Sequence, residues 1–118
     1  MIKLFYDNRL CGLDNNLLKS AVEVLDNEYI INIEAAGLKK EDFKITLEDN
    51  VLLVETKRIK EEGKEYYLDE RYYGDLYRSY TLKDIKDDEI KASYVDGVLT
   101  IRVPKLTEAE TKKFITIE

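Results

Sequence analysis

The chemistry open to this 118-residue chain is defined first by a residue it lacks, because it contains no histidine. Without imidazole there is no histidine-based triad, no histidine-assisted thiol and no imidazole metal ligand. The single thiol, Cys11, has no evident activating neighbour and no partner for an internal disulfide, so it reads as an inert small side chain. Asp84, Asp87, Asp88 and Glu89 cluster in "DIKDDE". A calcium loop would need alternating ligands, a glycine at a fixed place and a closing glutamate, and that pattern is incomplete here. The run reads as a solvated turn. The five glycines stand alone, so no glycine-rich phosphate loop exists. Carboxylate pairs are common in so acidic a chain and carry no information without a pocket. No catalytic, cofactor-binding or metal-binding residue is nominated, and the chain reads as not an enzyme.

What remains is the chemistry of association. The chain closes on "KKFITIE". In an extended strand residues i and i+2 face the same side, so Ile115 and Ile117 point together and Thr116 points away. They follow "KLTEAETKK", a solvated linker whose nine residues at about 3.3 Å each reach roughly 30 Å. The tail can therefore dock on another subunit or fold back as an edge strand on its own domain. A second concentration of sticky residues lies between Tyr66 and Tyr80, which hold six of the nine tyrosines. Stacking of single-stranded nucleic acid would need a basic groove, but Asp69, Glu70 and Asp75 offset Arg71 and Arg78. The tyrosines read either as strand residues that pack a ring and wet a hydroxyl, or as a subunit interface.

The elements that must position these groups are strands. From Ser20 the pattern has period two, through "SAVEV", "YIINIEAAG", "FKITLE", "VLLVET", "LYRSYTL", "IKASYV" and "VLTIRV". Asp26-Asn27 and Asp49-Asn50 mark turns, and Asp96-Gly97 is the strongest hairpin signal. Pro104 ends the series, since proline cannot donate to a sheet ladder. About seven strands at short spacing, with no convincing helix between them, predict an all-β, antiparallel two-sheet β-sandwich of immunoglobulin-like type. Residues 20–104 form that domain, 1–19 a short N-terminal arm, and 105–118 a C-terminal extension. Residues 57–75 interrupt the rhythm as a charged, tyrosine-rich excursion. In the arm Leu10, Leu13 and Leu17 recur at helical spacing. A net charge of −6 argues against phosphate-backbone binding. "MIKLFYDNRL" has no apolar stretch long enough for a signal peptide and no segment approaches a membrane span, so the expected location is the cytoplasm.

Several of these segments resemble the small heat-shock proteins. "AAGLKKEDFKITLEDNVLLVETKR" is similar to the family's glycine-ended strand, connecting turn and following hairpin. "ERYYGDLYRSYTL" is similar to its arginine- and glycine-containing strand approach. "IKASYVDGVLTIRVPK" matches the signature of the α-crystallin domain, with Gly37 upstream and Ala92, Gly97, Val98 and Leu99 at the expected spacing. The closing "ITI" has the form of the family's Ile-x-Ile tail. Ala36 stands where members usually carry proline.

The resemblance implies an ATP-independent chaperone that holds partly unfolded proteins and limits their aggregation, working as a dimer-based oligomer without cofactor. Its partners would be other copies of itself and unfolded clients, with no nucleic acid and no membrane span. It implies inter-subunit docking by Ile115 and Ile117 into a groove lined by Ile45, Leu47, Ala92 and Tyr94. It places a dimer contact in the excursion, at Tyr66, Tyr67, Leu68, Tyr72 and Tyr73, where a short strand would join the partner's sheet. The arm would supply a client-binding surface through Ile2, Leu4, Phe5, Tyr6, Leu10 and Leu13. The alternative is an adaptor or co-chaperone of CS-domain type, which binds a folded partner and needs neither the tail motif nor the excursion. A hydrolase or metal protein on the same sandwich is the remaining class.

Overall fold

The computed structural model describes residues 3–5, 18–106 and 115–117. Eight strands are present: β1 (Lys3–Phe5), β2 (Ser20–Val24), β3 (Glu28–Glu34), β4 (Lys44–Glu48), β5 (Val51–Arg58), β6 (Gly74–Thr81), β7 (Lys91–Val95) and β8 (Val98–Pro104). They form two antiparallel four-stranded sheets, in the orders β1-β6-β5-β4 and β2-β3-β8-β7. The only helical pieces among the described residues are single 3-10 turns at Lys40–Asp42 and Asp87–Glu89.

Alternation in the sequence produces the sandwich directly. On β3 the side chains of Tyr29, Ile31 and Ile33 are buried, and their register partners on β8 are Val103, Ile101 and Leu99, all buried as well. On the other sheet Leu52, Val54 and Thr56 of β5 stand opposite Tyr80, Arg78 and Leu76 of β6, again all buried. Residues directly opposite in a ladder share a face, so these two sets of rows meet as one core. A one-residue slip would turn every one of them to solvent, which fixes the register.

The turns follow their residues. Asp49 and Asn50 both take positive φ (50° and 65°), as do Asp96 and Gly97 (53° and 79°), the conformation that a two-residue hairpin turn between twisted strands requires. Between β2 and β3, the Leu25 amide donates to the Glu28 carbonyl across Asp26-Asn27. At Pro104, the last residue of β8, the carbonyl accepts from the Lys86 amide, so the proline ends the ladder yet still ties down the connection before β7.

Two boundaries differ from the sequence expectation. Strand pairing persists to Lys57↔Asp75 and Arg58↔Gly74, so the excursion outside the ladder is residues 59–73. Leu18, read from sequence as part of the arm, is buried in the core at 2% exposure. The arm also contains a strand that helical spacing did not suggest, since Lys3–Phe5 pairs with Thr81–Ser79 on β6. Leu10, Leu13 and Leu17 lie outside the described residues.

Candidate functional site

Each sheet ends on a short strand, and two of these ends lie against each other. β4 is the last strand of one sheet and β7 the last of the other. Just before β4, the Phe43 ring packs on Tyr94 of β7 with centroids 4.9 Å apart. The Tyr94 hydroxyl donates to the Ala35 carbonyl at the end of β3, which holds the ring in place.

The four groove residues named from the sequence all occupy in-facing positions of these strands. Ile45 and Leu47 stand opposite buried Val54 and Leu52, and both are half-buried. Ala92 and Tyr94 stand opposite buried Ile101 and Leu99. Tyr94 is half-buried, whereas Ala92 is exposed. The outer strands thus present apolar residues on the core side that the chain's own packing does not fully cover.

Ile115 and Ile117 are 90% and 93% exposed. Neither is seated on its own domain, so within one chain the tail motif is free to meet a surface elsewhere. Ile59, Tyr67 and Leu68 of the excursion are also strongly exposed, Tyr66 and Tyr72 less so, and Tyr73 is half-buried. Of the arm residues named above, Leu4 and Phe5 fall in β1, while Ile2, Tyr6, Leu10 and Leu13 lie outside the described residues.

Although exposed, the excursion is organised by charge. The Arg71 Nε donates to Asp69 at 2.9 Å, and the guanidinium lies 5.2 Å from the Tyr66 ring centroid and 5.6 Å from that of Tyr73. The Tyr73 hydroxyl donates to the other Asp69 oxygen. These bonds, Arg71 first and Tyr73 second, hold the Asp69 carboxyl well below the usual carboxylate range. Donation to Asp69 in turn raises the Tyr73 pKa. Lys64 pairs with Glu61 and lowers its pKa.

At the root of the excursion, Arg58 donates from Nη2 to the Ala36 carbonyl at 2.8 Å and from Nη1 to the Tyr72 carbonyl at 3.4 Å. It thereby ties both ends of the segment to the turn that follows β3. A cavity of about 380 Å³ opens there, lined by Ala36, Gly37, Arg58, Tyr66, Arg71 and Tyr73 among others. Sequence reasoning named neither Arg58 nor the Phe43–Tyr94 contact. The only local signal for Arg58 was a cation placed where β5 ends.

Of the signature positions, Gly97 has a packing reason for its identity. At φ 79° a side chain is strained, and a Cβ there would lie 3.2 Å from the Ala36 Cα. Gly37 also takes positive φ, Leu99 is in the core, and Val98 is half-buried beside the hairpin turn. Among the described residues no three acidic or thiol groups cluster as a metal site, and no helix is long and apolar enough to cross a membrane.

The fold and its rim define the class: an all-β, two-sheet antiparallel sandwich with half-covered outer strands and an exposed apolar tail. The comparisons supply the family. Residues 21–118 match the Hsp20/alpha crystallin family, to which the chain belongs. It is 37% identical to the heat shock protein HSP.16.4 of Streptococcus thermophilus, across 97% of this chain and 84% of that one. It is 40% identical to a probable Hsp20 family chaperone of Onion yellows phytoplasma, across 86% and 79%. Among solved structures, heat shock protein 16.0 of Schizosaccharomyces pombe superposes with a TM-score of 0.72 at 27% identity, covering 85% of this chain and 82% of the other. A small heat-shock protein of Xylella fastidiosa, described as having a distinct high order structure, gives 0.73 at 24% identity, covering 86% and 95%. The latter likeness concerns the fold.

Proposed function

We propose that this protein is an ATP-independent holding chaperone of the cytoplasm that assembles from dimers, and that its conformational chemistry is reversible association rather than catalysis. The observation that carries the reading is the pairing of an unseated Ile-x-Ile tail with an unfinished rim. Ile115 and Ile117 are almost fully exposed, while Ile45, Leu47, Ala92 and Tyr94 face the core from two outer strands that do not cover them. The tail of one subunit docks its two isoleucines between β4 and β7 of another. The segment around Tyr66–Leu68 joins the outer edge of the partner's β2, the terminal strand of its sheet.

Magnitude favours reversibility. Burying an isoleucine side chain contributes about 1.5–3 kcal/mol, so roughly 3–6 for the pair before ordering is subtracted. The remainder corresponds to about millimolar affinity or weaker for one tail. Many such contacts hold an assembly while each lets go, so apolar surface can be uncovered and covered again.

The test is light scattering from a heated, aggregating protein, with and without this chain and in the absence of ATP. Suppression near one chain per client, with soluble complexes containing both, is the expected result. No suppression at several-fold excess overturns the holding reading and leaves an adaptor for a folded partner. A chain that sediments only as monomer at micromolar concentration overturns the dimer-based assembly.

A further inference from the structure

The cavity at the root of the excursion is lined from two sides. Gly37 and Arg58 belong to the domain, and Tyr66, Arg71 and Tyr73 to the excursion. Its volume of about 380 Å³ falls among those of small-molecule sites, which run from about 300 to 1,000 Å³. Its charges are not equally satisfied. Glu61 is paired with Lys64, and Arg71 with Asp69. Arg58 has no carboxylate partner among the described residues. Its fork carries five N–H donors, of which one reaches the Ala36 carbonyl and one the Tyr72 carbonyl. The other three have no acceptor among the described residues. Gly37 keeps the approach clear, since it has no side chain and a Cβ there would lie 3.9 Å from the Arg58 Nη2.

We propose that this cavity is a binding site for a small aryl carboxylate, with the carboxylate on Arg58 and the ring against Tyr66 and Tyr73. The uncompensated charge is a single cation, which calls for a monoanion. A planar guanidinium with spare donors matches the geometry of a carboxylate. A dianion such as phosphate meets the Glu61 carboxylate in the same lining and is disfavoured. The opposite wall favours a flat apolar body. Tyr66 and Tyr73 flank the Arg71 guanidinium at 5.2 and 5.6 Å from their ring centroids, so both rings are held in place, and Ile59 adds aliphatic surface. A ligand held by Arg58 on one side and by these rings on the other joins the excursion to the domain. Tyr66 also belongs to the dimer contact proposed above, so occupancy would act on that segment. That consequence rests on the earlier reading, and the site itself does not.

The test titrates the full chain with benzoate by calorimetry, with benzamide as the neutral isostere and inorganic phosphate as the plain anion. Benzoate should bind once per chain, and benzamide at least tenfold more weakly. Arg58→Gln should weaken benzoate binding at least tenfold. Because that change also releases two carbonyls, Ile59→Glu is the second variant. Ile59 is strongly exposed, so the fold should tolerate the substitution while the added carboxylate repels the ligand, again at least tenfold. Benzoate should also slow amide exchange severalfold across residues 59–73. No binding of benzoate, or equal binding by the parent chain and both variants, overturns the site. Binding that leaves exchange in 59–73 unchanged overturns its placement against the excursion. Equal affinity for phosphate overturns the aromatic part of the assignment. None of these results bears on whether the protein holds unfolded clients, which the scattering experiment decides.

Discussion

The inner and outer strands of this sandwich obey the same alternation, yet they end in different states. On β3 and β8 every in-facing residue from Tyr29 to Ile33 and from Leu99 to Val103 is buried to 3% exposure or less. On β4 and β7 the in-facing residues Ile45, Leu47 and Tyr94 are only half-buried, and Ala92 is exposed. Nothing in the residue types separates the two groups, since isoleucine appears in both. Position decides it. A central strand has neighbours on both sides and an opposing sheet, whereas an outer strand lacks one neighbour. Burial is concentrated in the centre, and the docking proposed above is assigned to the rim.

The largest expected effect tests that division. Ile33→Ala removes fully buried methylenes and should cost about 2–5 kcal/mol in urea unfolding. Ile45→Ala, at a half-buried rim position, should cost under about 2 kcal/mol, because less area leaves water in the first place. Equal losses at the two sites would mean that the rim is as closed as the centre, and the groove between β4 and β7 would lose its basis.

A middle-sized effect concerns how the rim is hung on the centre. Gly97 closes the β7–β8 hairpin against Ala36, and the Ala35 amide donates to its carbonyl. Gly97→Ala introduces left-handed strain and a tight contact with Ala36, with an expected loss of about 1–2 kcal/mol. Amide exchange should quicken along β7 while β3 remains protected. Uniform quickening would show that the outer strand is not a separable unit.

Ile115→Ala with Ile117→Ala should change domain stability by no more than about 0.5 kcal/mol, because both side chains are already in solvent. Assembly mass by light scattering should nevertheless fall. Unchanged mass would mean that the tail does not join subunits.

What could be read from the sequence follows the same line between centre and rim. The alternation of "YIINIE", "VLLVET" and "VLTIRV", and the turns at Asp49-Asn50 and Asp96-Gly97, are local signals, and the structure contains the corresponding strands and turns. Contacts between residues far apart in the chain left no such trace. Arg58 reaching Ala36, Arg78 reaching Leu18, and Phe43 packing on Tyr94 each depend on how the two sheets stack. β1 was illegible for a further reason, since three residues cannot display a period, and the leucines after it suggest helix. The tail isoleucines were legible as a motif, but their exposure was not.

The smallest expected effect lies in the excursion, where order rests on exposed charge rather than burial. Asp69 accepts from Arg71 and Tyr73, and its folded pKa lies below the ordinary 3.8. A depressed carboxylate pKa contributes stability above the unfolded value, and that contribution is lost as pH falls through the folded one. Tyr73 behaves oppositely, for its pKa is raised above 10.0, so its contribution holds below that value and is lost as pH rises past the raised one. The local order of residues 59–73 should therefore be flat between these limits. It should loosen in acid only below the ordinary carboxylate range, and in base only above the ordinary tyrosine range. Asp69→Asn removes the charge that Arg71 holds. Amide exchange in 59–73 should then rise at neutral pH while the midpoint of global unfolding stays put. If exchange there is unchanged, the Asp69–Arg71–Tyr73 bonds do not order the excursion. The order that the proposed contact of Tyr66–Leu68 with a partner's β2 requires would then have to come from the partner itself.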